Sequence, residues 1–326
     1  DDSLNDWVQA GAFVPLNLLN LGWNQISDQG AKTLANSPTL NQLSKLFLDS
    51  NHIGNAGALA IAGSKNLNDL EILDMHDNNF GRAAERALNE FHIRLVMKKG
   101  LSQDGKSLNL NDQRFQDKDL KTLARSKALA GVEHLSLRNN GITYAGVAAL
   151  AESVNLKNLK TLNLMNNKIG DKGAVALAES AALSKLTSLN LEGAGVTAIG
   201  LLALGRSKHL HQMQELNISR NELTKKGIEY LAGSSGFANL KRLNAWDVFM
   251  GDAGLEAIAL STCLGQLEEL RVNGNIITTT GLRSLEASPN LSKLKKLDLR
   301  RNKVDVDGLL LLTESERFKT LEELRF

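Results

Sequence analysis

Residues Leu159–Leu186 read LKTLNLMNNKIGDKGAVALAESAALSKL, and this stretch decides the architecture. Leu162 and Leu164 alternate with Thr161, Asn163 and Met165, the period-2 pattern of a strand with one buried face. Asn167 follows where the strand ends, at a bend whose backbone groups need partners, which a side-chain amide can supply to neighbouring turns. Ile169 re-enters the core. Asp171 is placed to cap a helix whose early turn holds Gly173, where a small residue permits close approach. Ala174, Leu177 and Ala178 form the inward stripe of that helix, and Leu183 and Leu186 lead back to the next strand.

The unit recurs. Its Asn marker returns at Asn24, Asn51, Asn78, Asn140, Asn167, Asn221, Asn275 and Asn302, with substituted copies at Gln113, Ala194 and Val248. Every step is 27 residues except Asn78 to Gln113, which is 35. Units of this size stack as a solenoid in which each repeat packs only on its neighbours. Gly stands six residues after the marker in nine copies, with Ala84 and Asp119 as exceptions, so the slot demands a small residue. Ser stands thirteen after it in ten of eleven, Phe91 being the outlier, and reads as a hydroxyl that satisfies a free helix carbonyl rather than as a nucleophile.

Composition narrows the function classes. A formal net charge of +2 over 326 residues argues against a general nucleic-acid or membrane-surface binder. No stretch approaches the ~20 apolar residues that span a bilayer. The single cysteine, Cys263, precludes an intrachain disulfide and suits a reducing, intracellular compartment; it reads as a buried apolar residue on the helix side. The chain begins at Asp1 without a basic-then-apolar leader, so the expectation is that any targeting segment was removed or lies outside this sequence.

The pattern LxxLxLxxNxIxxxGxxxLAxS, over about residues 16–326, resembles the leucine-rich repeats of the ribonuclease-inhibitor type. Its "IGDKGAxALAES"-like text is similar to the repeats of bacterial effector proteins from intracellular pathogens, of Ran GTPase-activating proteins and of nucleotide-binding immune receptors. The resemblance implies an α/β fold, a right-handed horseshoe with a parallel sheet on the concave side and helices on the convex side. It also implies a non-enzymatic binding scaffold, an effector or intracellular adaptor; an effector would be secreted by the bacterium into the host cytosol. A small-GTPase regulator and the substrate-recognition part of a larger enzyme such as a ubiquitin ligase are the alternatives. No activating Arg can be carried over, because no segment matches that motif residue by residue.

The period breaks within residues 89–106, which carry the eight-residue excess. We read a helix lengthened to about Lys99, stopped at Gly100, then a polar turn with Gly105, tolerated on the outer face. His92, Arg94, Lys98 and Lys99 keep a docking element open as the second reading. One sheet of at least eleven strands is expected throughout, with this break as the place where repeats 1–3 could part from repeats 4–11. Residues 1–15 read as an N-terminal cap using Trp7 and Phe13. LEELRF at the end starts a twelfth strand without a polar cap, so the expectation is either a continuing chain or a partly exposed Phe326.

The residues four, two and one before each marker should point away from the core on the concave sheet. In repeats 2–4 the charged ones are Asp49, Asp74, Asp77 and Asp112; in the last three strands they are Arg271, Arg300, Arg301 and Arg325 against Asp298. Between these ends lie Arg138, Met165, Arg220 and Trp246, with Phe249 just past the marker. Aromatic and Arg side chains are the types enriched at binding hot spots, so these residues form the candidate site for a protein partner. Trp23 and Phe47 form a second, smaller candidate. The amide column Asn20, Asn109, Asn163, Asn190, Asn217 and Asn244 is expected to hydrogen-bond to itself along the sheet. The sequons at Asn217 and Asn290 read as chance. The chain holds no HExxH, GxxxxGK[ST] or GxGxxG motif, and the reading names no catalytic residue, metal or cofactor for what should be a monomer.

Overall fold

The computed structural model describes residues 1–11 and 16–326 and divides into two compact units, Asp1–Leu101 and Ser102–Phe326. Each is built by stacking the same strand–bend–helix unit. Phe13 lies outside the described residues.

In the first unit, α1 (Asp2–Gln9) precedes β1 (Leu18–Asn20), α2 (Asp28–Asn36), β2 (Lys45–Phe47), α3 (Asn55–Gly63), β3 (Ile72–Asp74) and α4 (Arg82–Gly100). β1, β2 and β3 pair in parallel, with Leu19, Leu46 and Leu73 in register. In α1, Leu4 is buried and Trp7 is exposed, so Leu4 rather than Trp7 supplies the apolar contact expected of the N-terminal segment. The lengthened helix is α4. Phe91, in the slot that elsewhere holds Ser, is buried together with Ile93, Leu95 and Met97, and Phe91 and Leu95 join the core of the first three repeats.

The second unit runs β4 (Ser107–Asn109), α5 (Asp117–Ala124), β5 (His134–Ser136), α6 (Tyr144–Ala151), β6 (Thr161–Asn163), α7 (Gly170–Glu179), β7 (Ser188–Asn190), α8 (Ala198–Gly205), β8 (Glu215–Asn217), α9 (Thr224–Ala232), β9 (Arg242–Asn244), α10 (Gly251–Leu260), β10 (Glu269–Arg271), α11 (Thr279–Glu286), β11 (Lys296–Asp298), α12 (Val306–Glu314), the short α13 (Glu316–Lys319) and β12 (Glu323–Arg325). Its nine strands form one parallel sheet in sequence order. The chain is thus an α/β repeat solenoid with twelve strands among the described residues, but their pairing is not the continuous one expected. It falls into ladders of three and nine, with the eight-residue excess between β3 and β4.

The marker Asn is the main tie between repeats. Asn167, 1 % exposed, donates from Nδ2 to Leu137 O at 2.9 Å and Leu164 O at 3.0 Å, and its Oδ1 accepts the Ile142 N–H at 3.2 Å. Asn51, Asn78, Asn140, Asn221, Asn275 and Asn302 repeat the pattern. The repeated Ser also works between repeats: Ser64, Ser153, Ser180, Ser207, Ser261 and Ser288 each donate to the final Ala carbonyl of the preceding helix. Others bond locally: Ser234 to Tyr230 O in its own helix, Ser37 to the Thr39 hydroxyl and Ser126 to the Ala128 N–H.

Two local expectations are corrected. Asp171 caps the following helix, not its own: its carboxylate accepts the Thr197 N–H (2.7 Å), the Thr197 hydroxyl (2.7 Å) and the Gly200 N–H (3.0 Å). The amide column does not pair with itself along the sheet. Asn20, Asn109, Asn163, Asn190 and Asn217 each turn Oδ1 to the backbone N–H two residues on, a local turn that competes successfully with a side-chain ladder.

Candidate interaction surface

On each strand the Leu pair points into the core, and the residues between and before it face away from the helices. That outward set also includes the position six before the marker.

In the first unit it adds Lys45 beside Asp49, Asp74 and Asp77, with exposed Leu18 and Ile72. His76 joins the carboxylates: Nδ1 lies 2.5 Å from Asp74 Oδ1 and Nε2 3.7 Å from Asp77 Oδ2. The Asp74 hydrogen bond, then the charges of Asp74, Asp77 and Asp49, raise the imidazole above its ordinary value against the opposing effect of desolvation. Trp23 is 83 % exposed and sits in the left-handed region, as does the residue before the marker in every repeat through Arg301. Phe47 is half-buried.

Three basic residues of the excess segment make contacts within this unit. Arg94 donates to Ala62 O (3.1 Å) and stacks over Phe91, Lys98 pairs with Asp69 (3.0 Å), and Lys99 pairs with Glu71 (3.0 Å). They fasten α4 to the repeats it covers.

In the second unit, Asp112 accepts from Asn139 Nδ2 (2.9 Å) and Arg138 (3.2 Å), and those two hydrogen bonds hold its carboxyl below the usual range. Met165 is half-buried. Beside it in the same column stands Glu192, a buried carboxylate that accepts from Asn217 Nδ2 at 3.0 Å. Trp246 is half-buried, its backbone N–H donates to the buried Ser219 hydroxyl (3.2 Å), and the Arg220 guanidinium lies 5.8 Å from the centre of its ring. Because Ser219 takes that N–H, Asn244 Oδ1, which would otherwise receive it, is buried without a partner. Phe249 is 54 % exposed.

At the far strands the cations are mostly neutralised. Arg271 pairs with Glu269 (2.6 Å), Arg325 with Glu323, and Arg300 grips Asp298 with Nε at 3.0 Å and Nη2 at 2.6 Å. Burial works against the Asp298 carboxylate, but Arg300 and the nearby Arg325 outweigh it and hold the group below its ordinary value. Five cations face three carboxylates over β10–β12 once Glu269, Lys296 and Glu323 are counted, so the excess positive charge is real but small. Arg301 is exposed and has no ion pair among the described residues.

The sequence-picked residues are therefore spread over two sheets. Asp49, Asp74 and Asp77 share the first; Asp112, Arg138, Met165, Arg220, Trp246, Phe249, Arg271, Arg300 and Arg301 belong to the second. Reading positions six before and one after each marker would have added Glu215, Arg242 and Ile276. Among the described residues, no group of three or more His, Cys, Asp and Glu side chains could hold a metal ion, and no helix is long and apolar enough to cross a membrane.

Known families match the repeats directly. The Leucine Rich repeats (2 copies) family matches residues 131–174, and the Leucine Rich repeat family matches 15–35, 40–62, 182–205, 209–232 and 290–312. No curated protein sequence matches the chain. Among solved structures, an internalin (InlF) from Listeria monocytogenes str. 4b F2365 is similar at 18 % identity and a TM-score of 0.43, covering 100 % of this chain and 95 % of that one.

Proposed function

This chain is a leucine-rich-repeat protein, and we propose that it is a non-catalytic protein-binding scaffold, an effector or intracellular adaptor that engages its partner through the outward sheet face of the second unit. One observation carries the reading: the Arg220 guanidinium lies over the ring of a half-buried Trp246 on that face. A rigid aromatic with a guanidinium on its face offers apolar area and charge at one point, the combination that concentrates binding energy. Met165, Arg138 and Asp112 extend the surface along the same sheet.

Affinity capture from cell lysate, with Trp246→Ala/Arg220→Ala as the control bait, tests the reading. A partner held by the parent and lost by the folded control supports it; capture that ignores the control sinks it. Stimulated GTP hydrolysis by a panel of small GTPases would instead establish the regulator alternative.

A further inference from the structure

The loops after β9 and β10 share a tie that the other repeats lack among the described residues. Asn275 Oδ1 accepts both the Val248 N–H (3.0 Å) and the Met250 N–H (3.4 Å). One repeat on, Asn302 Oδ1 accepts both the Asn275 N–H (2.8 Å) and the Ile277 N–H (3.0 Å). Elsewhere the marker oxygen receives only the N–H two beyond the previous marker. The residue between the two converging N–H groups is left-handed and outside the pair of hydrogen bonds, as Arg114 and Gly195 are left-handed in the same slot of their repeats. That residue is Phe249 (φ +59°) in one loop and Ile276 (φ +61°) in the next. They are 54 % and 50 % exposed.

The left-handed region is costly for a β-branched or bulky side chain, and neither residue recovers the cost by burial. Most other repeats fill this slot with a polar residue or Gly: Gln25, His52, Asn79, Gly141, Lys168 and Glu222. β9 and β10 pair in register, Leu243 opposite Leu270, so the two side chains stand on adjacent turns at a strand spacing of ~4.8 Å. The pair forms an apolar ridge at the ends of these strands.

Charge on the flanks is polarised. Glu222 and Asp247 belong to the loops on the Phe249 side, with Arg220 held over Trp246. On the Ile276 side stand Arg301 and Lys303, with no carboxylate partner among the described residues. The one acid of that loop, Asp305, is committed to the Thr279 hydroxyl and the Gly308 N–H. Gly274, with φ +68° and no side chain, leaves the space beside the ridge open.

We infer that Phe249 and Ile276 are the docking ridge for a peptide segment of the partner that carries two apolar side chains followed by carboxylates. The apolar pair covers the ridge and the carboxylates meet Arg301 and Lys303. This rests on the reading of the second unit's outward sheet face as the partner surface.

The test is selection of a phage-displayed random 12-mer library on the full chain, followed by fluorescence anisotropy of the best labelled peptide. The expected peptides share an apolar pair followed by Asp or Glu, and their binding weakens with salt. Phe249→Gly/Ile276→Gly and, separately, Arg301→Glu/Lys303→Glu should each weaken binding at least ~10-fold. The Gly pair suits the left-handed backbone and should fold; if it does not, the charge reversal on the exposed Arg301 and its neighbour decides alone. Recovery of basic or uncharged peptides, no binding peptide, or affinity unchanged by the folded variants would overturn the inference, as would self-association that covers the ridge. Peptides lost on Trp246→Ala but kept by both ridge-side variants would leave the sheet-face reading standing and remove the ridge from it.

Discussion

Asp171 Oδ1 accepts the Gly200 N–H at 3.0 Å, so the carboxylate of one repeat caps the helix of the next. The same geometry joins Asp117 to Thr143 and Gly146, Asp252 to Thr278 and Gly281, and Asp28 to Gly54 and Gly57. It also accounts for the glycine in those repeats, whereas at Gly173, Gly227 and Gly254 the nearest atoms are those of apolar neighbours. A Cβ on Gly200 would stand 2.7 Å from Asp171 Oδ1, and one on Gly146 2.6 Å from Asp117 Oδ1. Gly200→Ala should therefore displace the carboxylate and cost ~1–2 kcal/mol, the range of a lost helix cap. Urea denaturation of that variant beside Asp171→Ala checks it, since the two should be similar and their combination not additive. Gly63→Ala is the control, with open space around its Cβ and ordinary helical geometry.

The marker column supplies a second expectation. Asn167→Ala removes a buried amide that serves three carbonyls and one N–H, and should cost ~1–3 kcal/mol in chemical denaturation. Asn24→Ala should cost far less, because among the described residues Asn24 bonds only Leu21 O and Gly22 O on an exposed bend. Equal melting of parent and Asn167→Ala would show that the column does not hold the stack.

What was legible in the chain follows from these contacts. Asn167, Leu162 and Leu164 show through because each slot recurs at a fixed period and a side chain in one repeat predicts its counterpart in the next. Asp171 misled because an acid two residues before a Gly looks like a local cap, while its actual bonds reach 26 and 29 residues on. A signal was nevertheless present: the acids at Asp117, Asp171 and Asp252 are each followed, one repeat later, by a Thr at Thr143, Thr197 and Thr278. The excess within residues 89–106 marked the place where the array could divide, and strand pairing stops there, between β3 and β4. Among candidate site residues, Ile276 was legible too: apart from Phe249, every other repeat fills that slot with a polar residue or Gly, so an Ile there stands out.

Acid should weaken the stack through the inter-repeat caps. Burial opposes ionisation of Asp117, but the Thr143 hydroxyl, the Thr143 N–H and the Gly146 N–H hold its carboxyl below the usual range. A carboxyl whose folded-state pKa is depressed contributes its full stability above the unfolded value of about 4 and loses it as pH falls through the folded one. Asp117→Asn should thus narrow the stability difference between neutral and acidic solution. Chemical denaturation at a series of pH values from 7 to 3 reads this out; an unchanged acid limb would mean that the cap does not titrate with folding.

The lengthened α4 closes the first unit, and its buried face makes that testable. Leu95 is 5 % exposed within the core of the first three repeats, so Leu95→Ala should cost ~2–4 kcal/mol. Cutting eight residues from 89–106 to restore the period should lower the melting temperature as well, because it removes part of the run that buries Ile93, Leu95 and Met97. A trimmed protein as stable as the parent that loses its partner would make the segment a docking element after all.

Ile276→Gly is the sharpest test of the strained loop. An exposed β-branched residue in the left-handed region carries a penalty of ~1–3 kcal/mol. Glycine removes it, at the expense of ~0.5–1 kcal/mol of extra freedom in the unfolded chain. The substitution should leave the melting temperature unchanged or raise it, although Ile→Gly in an ordinary strand destabilises. Asn302→Ala should act in the opposite sense. It removes the oxygen that holds the Asn275 and Ile277 N–H groups together, and with it a rung of the marker ladder. A marked fall in melting temperature for Ile276→Gly would show that this side chain is held by packing, and that its outward position is not imposed by the two hydrogen bonds to Asn302.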